Sequence, residues 1–270
     1  MIGFHEELAA REREGRPVKI GLIGAGQMGT DVVAQVTRMK GIEVVAVADI
    51  DRERARDAYQ IGLADGEVVE VRTAREADEA VRVGKQVITE DYRIVCDMKI
   101  IDVVLEATGV PEIGARAALR AARNRHHIAM MSVETDITVG PILNWYAKQE
   151  GILYALAAGD EPAACKELFD FAESLGFTIV AAGKGKNNPL DRYAIPTESV
   201  WAKEAARRGL TPTMLIEFVD GSKTMIEMAA VSNATGLVPD VRGMHGPQTS
   251  RENLHKTFAL KEHGGLLTSA

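Results

Sequence analysis

Cysteine is scarce in this chain, with only Cys96 and Cys165 among 270 residues. Two cysteines so far apart make neither a disulfide framework nor a CxxC metal site. HExxH strings and Cys/His clusters are missing as well, so no structural metal is expected. An Asp/Glu-bound Mg²⁺ stays open. Long apolar runs are absent; none approaches the ~18 residues that a membrane span requires. The start, MIGFHEELAAREREGRP, is rich in Glu and lacks the basic and apolar stretches of a signal peptide. A cytoplasmic, reducing address is therefore expected. Positive charge is in deficit: 32 Lys and Arg against 39 Asp and Glu give a net charge of −7. That balance disfavours a nucleic-acid face but permits a local basic pocket for an anion.

What is present is an ordinary globular balance, 46% hydrophobic and 26% charged. Short apolar strands alternate with helix-length amphipathic stretches. Strands are expected at 18–23, 43–48, 101–106, 127–132 and 152–157, with helices at 27–39, from Asp51, at 112–124 and at about 138–149. The stretch from about 64 to 100 reads as irregular. Near-continuous Val/Ile/Leu/Ala strands separated by helices describe a doubly wound parallel α/β sheet covered on both faces. After it come an expected helix at 161–175, a strand at 177–182 (FTIVAA), a helix at 197–208 and the Gly-bounded helix in DGSKTMIEMAAVSNATG. The expected organisation is a nucleotide-binding domain over 1–160 and a smaller α/β substrate unit over 161–270.

Directly after the first strand stands Gly24-Ala25-Gly26-Gln27-Met28-Gly29, a full GxGxxG that opens a helix. The first glycine permits a tight turn, the second lets backbone approach a pyrophosphate, and the third allows close helix–strand packing. The helix N-terminus adds unpaired amides and the positive end of its dipole. Asp49 follows Gly29 by twenty residues at the end of the second strand, where a carboxylate meets the adenosine ribose hydroxyls. The bland reading is a packing turn; the context favours a Rossmann-type dinucleotide site. Asp49 leans the choice to NAD, while Arg52 and Arg54 soften it toward NADP.

In a parallel sheet, every loop after a strand's C-terminal end lies on one edge, where ligands bind. Those loops bring Thr108 and Gly109, expected beside the nicotinamide, and the carboxylates Glu134, Asp160 and Glu161. Asp136 and Asp160 read as helix caps, whereas Glu134 reads as the end of a buried strand. The loop Gly183-Lys184-Gly185-Lys186-Asn187-Asn188 reads as a compact anion-binding surface. Lys223 and Glu227 lie four apart on one helix among apolar neighbours. A salt bridge is the plain reading, but Lys-before-Glu is the weaker order. Lys223 is thus a candidate general acid at a carbonyl, with Glu134 and Glu227 beside it as candidate catalytic carboxylates. His126 and His127 read as packing or surface residues, and Asn233 and His245 as second-rank polar candidates.

These residues carry a resemblance. GLIGAGQMGTDVVAQV with IDVVLEATG resembles the NAD-binding domain of homoserine dehydrogenases. From AAGDEPAACKELFDF through AGKGKNNPLDR, EFVDGSKTMIEMAAVSNATGLVPD and GMHGP, the chain is similar to the deoxyxylulose phosphate reductoisomerase-like (DRL) proteins. The resemblance covers nearly the whole chain. It implies an oxidoreductase using NAD or NADP. In the better-characterised members it implies conversion of deoxyxylulose phosphate to methylerythritol phosphate with a divalent metal such as Mg²⁺. It also implies substrate-pocket roles for Lys184, Lys186, Asn187, Asn188 and Lys223. Relative to that family, the chain stops at Ala270 where further sheet and a SAF domain would follow.

The expected function is therefore an NAD(P)-dependent oxidoreductase acting on a small polar, phosphorylated hydroxy-carbonyl compound. Its expected partners are a small-molecule substrate and further copies of itself in a homo-oligomer, with no nucleic acid and no membrane. Homoserine dehydrogenase is the alternative enzyme, although Ser132-Val133-Glu134 stands where those enzymes usually carry a T-A-N-K type string. A non-catalytic NAD(H)-binding sensor or a structural module is the alternative outside enzymes.

Overall fold

A computed structural model describes residues 3–186, 190–208 and 210–269. The chain divides into two compact units, Met1–Ala157 and Ala158–Ala270.

The first unit is a seven-stranded sheet. Its strands are β1 (Val18–Ile23), β2 (Ile42–Ala48), β3 (Val68–Glu70), β4 (Gln86–Thr89), β5 (Val103–Glu106), β6 (His127–Met130) and β7 (Tyr154–Leu156). Their spatial order is β3-β4-β2-β1-β5-β6-β7, and every neighbouring pair is parallel. The helices are α1 (Phe4–Arg13), α2 (Gln27–Val36), α3 (Arg52–Ile61), α4 (Ala74–Arg82), α5 (Tyr92–Asp97), α6 (Pro111–Arg123) and α7 (Val133–Glu150).

Two separate cores show why the strands are apolar throughout. Ile20, Leu22, Val44 and Val47 pack with Val33, Val36, Ala55, Ala58 and Tyr59 from α2 and α3. Alternate strand residues, among them Ile23, Val45, Val104, Ile128 and Met130, pack with residues of α4 to α7 such as Ala117, Ala121, Leu143 and Ala147. Side chains alternate in direction along a strand, so a sheet covered on both faces demands apolar residues at every position. The doubly wound α/β class is as expected from the sequence.

The stretch expected to be irregular instead holds β3, α4, β4 and α5. Both strands are very short, and α4 (AREADEAVR) is mostly charged, burying only Ala77, Asp78 and Val81. A capping box nevertheless marks its start. Thr73 accepts from the Glu76 amide at 3.2 Å, and Glu76 accepts from the Arg72 amide at 2.9 Å.

The second unit contains α8 (Glu161–Ser174), α9 (Ser199–Arg208), α10 (Pro212–Val219) and α11 (Ser222–Thr235). Ala194, Ala205, Leu215, Ile216 and Val219 form its small core. The strand expected at 177–182 does not form; the segment carries no regular structure. FTIVAA suits a strand, but a strand needs a hydrogen-bonding neighbour, and the elements longer than an isolated bridge described in this unit are helices. The helix α10 was not expected. Thr211 caps it by accepting from the Met214 amide at 3.2 Å, and Pro212 follows at its first turn. Among the described residues, no helix is long and apolar enough to cross a membrane.

His126 is buried between α6 and β6, and burial holds its pKa below the ordinary 6.5. The unfolded chain therefore takes up this proton first, and stability falls as pH drops through 6.5. Urea unfolding followed from about pH 8 down to about pH 5 should show that decline, and His126→Gln should flatten it. An unchanged slope in the variant would assign the acid sensitivity to other groups.

Candidate functional site

In the first unit the chain order reverses at β1, whose neighbours are β2 on one side and β5 on the other. Loops leaving the C-terminal ends of these strands meet at such a switch point. The glycine loop follows β1. Gly24 has φ +98°, and a Cβ there would lie 2.7 Å from the Ala107 carbonyl carbon, so the loops after β1 and β5 touch through backbone. A Cβ on Gly29 would overlap the Gly24 carbonyl oxygen, which explains the third glycine as helix–strand packing. Gly26 differs. It is exposed, like Gln27 and Met28, and nothing lies within 4 Å of where its Cβ would stand. Packing among the described residues gives no reason for glycine at 26, whereas approach of a ligand to its backbone does.

Asp49 ends β2 and binds this loop directly. One carboxylate oxygen accepts from the Ala25 amide at 2.7 Å and the other from the Asp51 amide at 2.9 Å. Arg52 pairs with Glu70 and with Glu90, each at 2.9 Å, and Arg54 lies 3.5 Å from Asp51. Thr108 and Gly109 stand in the loop after β5. The Gly109 amide donates to the Ser132 hydroxyl at 3.0 Å, joining the loops after β5 and β6.

Sequence reasoning overlooked Glu106. It is fully buried at the end of β5, and one of its oxygens accepts from the Thr108 amide at 2.8 Å and also from the Thr108 hydroxyl. Among the described residues its other oxygen has no hydrogen-bond partner. A carboxylate closing the apolar string IDVVL was the available signal. Glu134 needs a correction: β6 ends at Met130, and Glu134 stands in the first turn of α7, half-buried. Asp136 is not a cap. It accepts from the Tyr154 hydroxyl at 2.9 Å, and burial raises its pKa.

In the second unit, α11 packs along α8. Asp160 occupies the position before α8 but makes no side-chain cap hydrogen bond, contrary to expectation. Ligand oxygens of Asp160, Glu161 and Glu227 all lie within 4.8 Å of one another. Glu227 is only 1% exposed, a burial that a counter-charge makes less costly for a carboxylate. The ammonium of Lys184 supplies it, contacting Glu227 and lying 3.0 Å from Glu161.

The electrostatics follow from this crowding. Burial pushes Asp160 up to about 6, with the neighbouring Glu161 adding to the rise and Lys223 opposing it. Lys184 holds Glu161 below the ordinary carboxylate range. Burial works against the charge on Lys184, but Glu227 and Glu161 outweigh it and keep its pKa raised. Lys186 is lowered by burial and by the charge of Lys184, and its ammonium donates to the Phe218 carbonyl. The two loop lysines are therefore engaged within the protein instead of forming an open anion surface. Asn187 and Asn188 lie outside the described residues. Lys223 is half-buried in the first turn of α11, one turn before Glu227. His245 pairs with Asp240 at 2.6 Å.

Residues 159–270 match the family model for Oxidoreductase DRL, catalytic domain. Over that stretch, and there alone, the match agrees with the resemblance to DRL proteins. No curated protein sequence matches the chain. Among solved structures, a homoserine dehydrogenase from Thiobacillus denitrificans aligns at 17% identity and a TM-score of 0.50. That alignment covers 82% of this chain and 50% of the other, and it shows a shared fold. A scyllo-inositol dehydrogenase from Lactobacillus casei aligns at 16% identity and a TM-score of 0.40, covering 58% of this chain and 42% of that one. The chain thus spans half or less of the length of these structures.

Glu106 offers a direct test of how the loop after β5 is held. Glu106→Gln keeps an acceptor for the Thr108 amide in a side chain of the same size, so unfolding midpoints should stay close to wild type. Glu106→Leu leaves the Thr108 amide without its acceptor and should cost about 1–3 kcal/mol in urea unfolding. Equal stability of the two variants would show that Thr108 does not depend on this carboxylate.

Proposed function

We propose that the protein is an NAD(P)-dependent oxidoreductase of a small, polar, phosphorylated hydroxy-carbonyl substrate, with reductoisomerase-like chemistry. The observation that carries the reading is Gly26. It is a glycine that packing does not require, set between a strand and a helix N-terminus, beside Asp49 and the loop after β5. These residues fit a dinucleotide. Gly24, Gly26, Gln27, Met28 and Gly29 would receive the pyrophosphate, and Thr108 and Gly109 would border the nicotinamide ring. Asp49 retains acceptor capacity for ribose hydroxyls beyond its two backbone bonds. Arg52 and Arg54 are already paired with carboxylates, which supports NAD over NADP. When bound, the nicotinamide supplies or accepts the hydride.

Proton and anion handling are assigned to the second unit. Lys223 would hold the proton that passes to the substrate oxygen, and its charge would stabilise an alkoxide as it develops. Glu227 in this unit and Glu134 in the first are candidate catalytic carboxylates, and Lys186, Asn187 and Asn188 candidate substrate contacts. The donor set of Asp160, Glu161 and Glu227 suits a hard divalent cation such as Mg²⁺, which takes carboxylate oxygens. A cation held there would polarise a substrate oxygen. Both cysteines are free, in keeping with a reducing, cytoplasmic setting.

Three measurements test the proposal. In calorimetric titration NAD should bind at least as tightly as NADP, and Asp49→Ala should weaken NAD by roughly tenfold, about one hydrogen bond to a charged group. NADP binding far tighter than NAD would refute the role given to Asp49. Gly26→Val should unfold near the wild-type midpoint yet lose cofactor binding; full binding in this variant would remove the observation on which the reading stands. Lys223→Ala should lower kcat by about 10²–10⁴ on a carbonyl substrate with cofactor affinity unchanged. Cofactor binding without turnover on any phosphorylated hydroxy-carbonyl compound would favour a sensor instead.

A further inference from the structure

Glu227 lies in the middle of α11, 1% exposed, with Met228, Ala230 and Val231 buried beside it on the same helix. Burying a carboxylate in such surroundings is costly unless a cation or hydrogen-bond donors meet it. A cation in contact with it is the side chain of Lys184, itself 17% exposed, whose ammonium contacts both Glu227 and Glu161. Asp160 places a third carboxylate within 4.8 Å of those two. The lysine stands in the described segment 177–186, which carries no helix or strand. Its side chain can therefore leave without breaking a regular element.

Two cations do not share this place. A divalent ion bound to Glu161 and Glu227 needs their oxygens at about 2.0–2.6 Å, the same oxygens that the ammonium now holds. Ammonium and dication at that range repel each other strongly in a partly buried setting. We propose that Lys184 is a built-in cation that competes with a divalent metal for Glu161 and Glu227, and that metal entry releases its ammonium to an anionic group of the substrate. This deepens the metal reading given above and rests on it. The exchange conserves interactions: the carboxylates trade an ammonium for a dication, and the ammonium trades carboxylates for a phosphate. It also reconciles the two faces of Lys184, a loop lysine suited to anions and the partner of a buried glutamate. Metal and anion binding become linked, because each favours the released position of the same side chain.

The test is Mn²⁺ binding to the full chain, read by paramagnetic resonance of the free ion, with inorganic phosphate as the anion probe. Wild type should bind Mn²⁺ weakly. Lys184→Met should bind it at least tenfold more tightly, because three carboxylates lose their internal competitor. Lys184→Gln, which keeps a hydrogen-bond donor for Glu227 without the charge, should behave like Lys184→Met and covers the case in which the methionine variant fails to fold. Lys184→Arg should stay close to wild type, and Glu227→Gln should lose Mn²⁺. Phosphate should bind wild type more tightly with Mn²⁺ present than without, and this gain should vanish in Lys184→Gln. Equal Mn²⁺ affinity of wild type and both neutral variants would overturn the competition while leaving the metal reading intact. Absence of Mn²⁺ binding in every variant would overturn the metal reading and the competition together.

Discussion

The first unit depends on one constraint, that a parallel sheet covered by helices on both faces has no lateral exit for polar groups. Most strand residues between the ends are committed to one of two apolar cores. Charges and hydrogen-bonding side chains therefore gather where the strands end. Asp49 at the end of β2, Glu106 at the end of β5 and Ser132 just after β6 all follow this rule. Each of the three binds a backbone amide of a loop on that edge, so the loops are held by the carboxylates and hydroxyl that the sheet delivers to them. The glycines serve the same end in different ways. Gly24 and Gly29 let backbones approach, while Gly26 leaves its own backbone open.

The second unit is organised around a charge that it has to neutralise. Glu227 is buried on a helix whose neighbours are largely apolar, and nothing in a small helical core can solvate it. A lysine from far along the chain does so, and its charge lowers the proton affinity of Glu161 and Lys186 beside it. Asp160 and Glu161 open α8, where the helix dipole favours negative charge and offsets part of their mutual repulsion. The resulting group of carboxylates and lysines is compact enough to handle a cation, a proton or an anion.

Much of this was legible along the chain. Apolar strands at helix-length spacing announced a doubly wound sheet, because burial on both faces leaves a continuous apolar signature. The GxGxxG string and Asp49 were also local, being set by spacing after a strand. The strings around residues 159–270 carried the family resemblance that the domain match bears out. Where reading failed, the local signal was weak or spoke to an absent neighbour. The strands β3 and β4 are too short for a pattern, and α4 is too charged to show one, although its capping box was visible. FTIVAA has the composition of a strand, but pairing depends on another chain segment, and none of the helices around it can pair.

By itself, the sequence determined which segments are apolar, where turns must come and which loop could approach a phosphate. Those properties are carried by single residues and their near neighbours. Only the tertiary structure decided which charges meet. Lys184 read as part of an open anion loop, and in the fold it is the partner of Glu227, 43 residues further on by number. Glu134 read as the end of a strand, and the shorter β6 moved it into a helix turn. Glu106 drew no notice until the loop after β5 folded back over it. Electrostatic pairing acts through space, across segments whose separation along the chain carries no trace of the contact, and so it became readable only after the chain had folded.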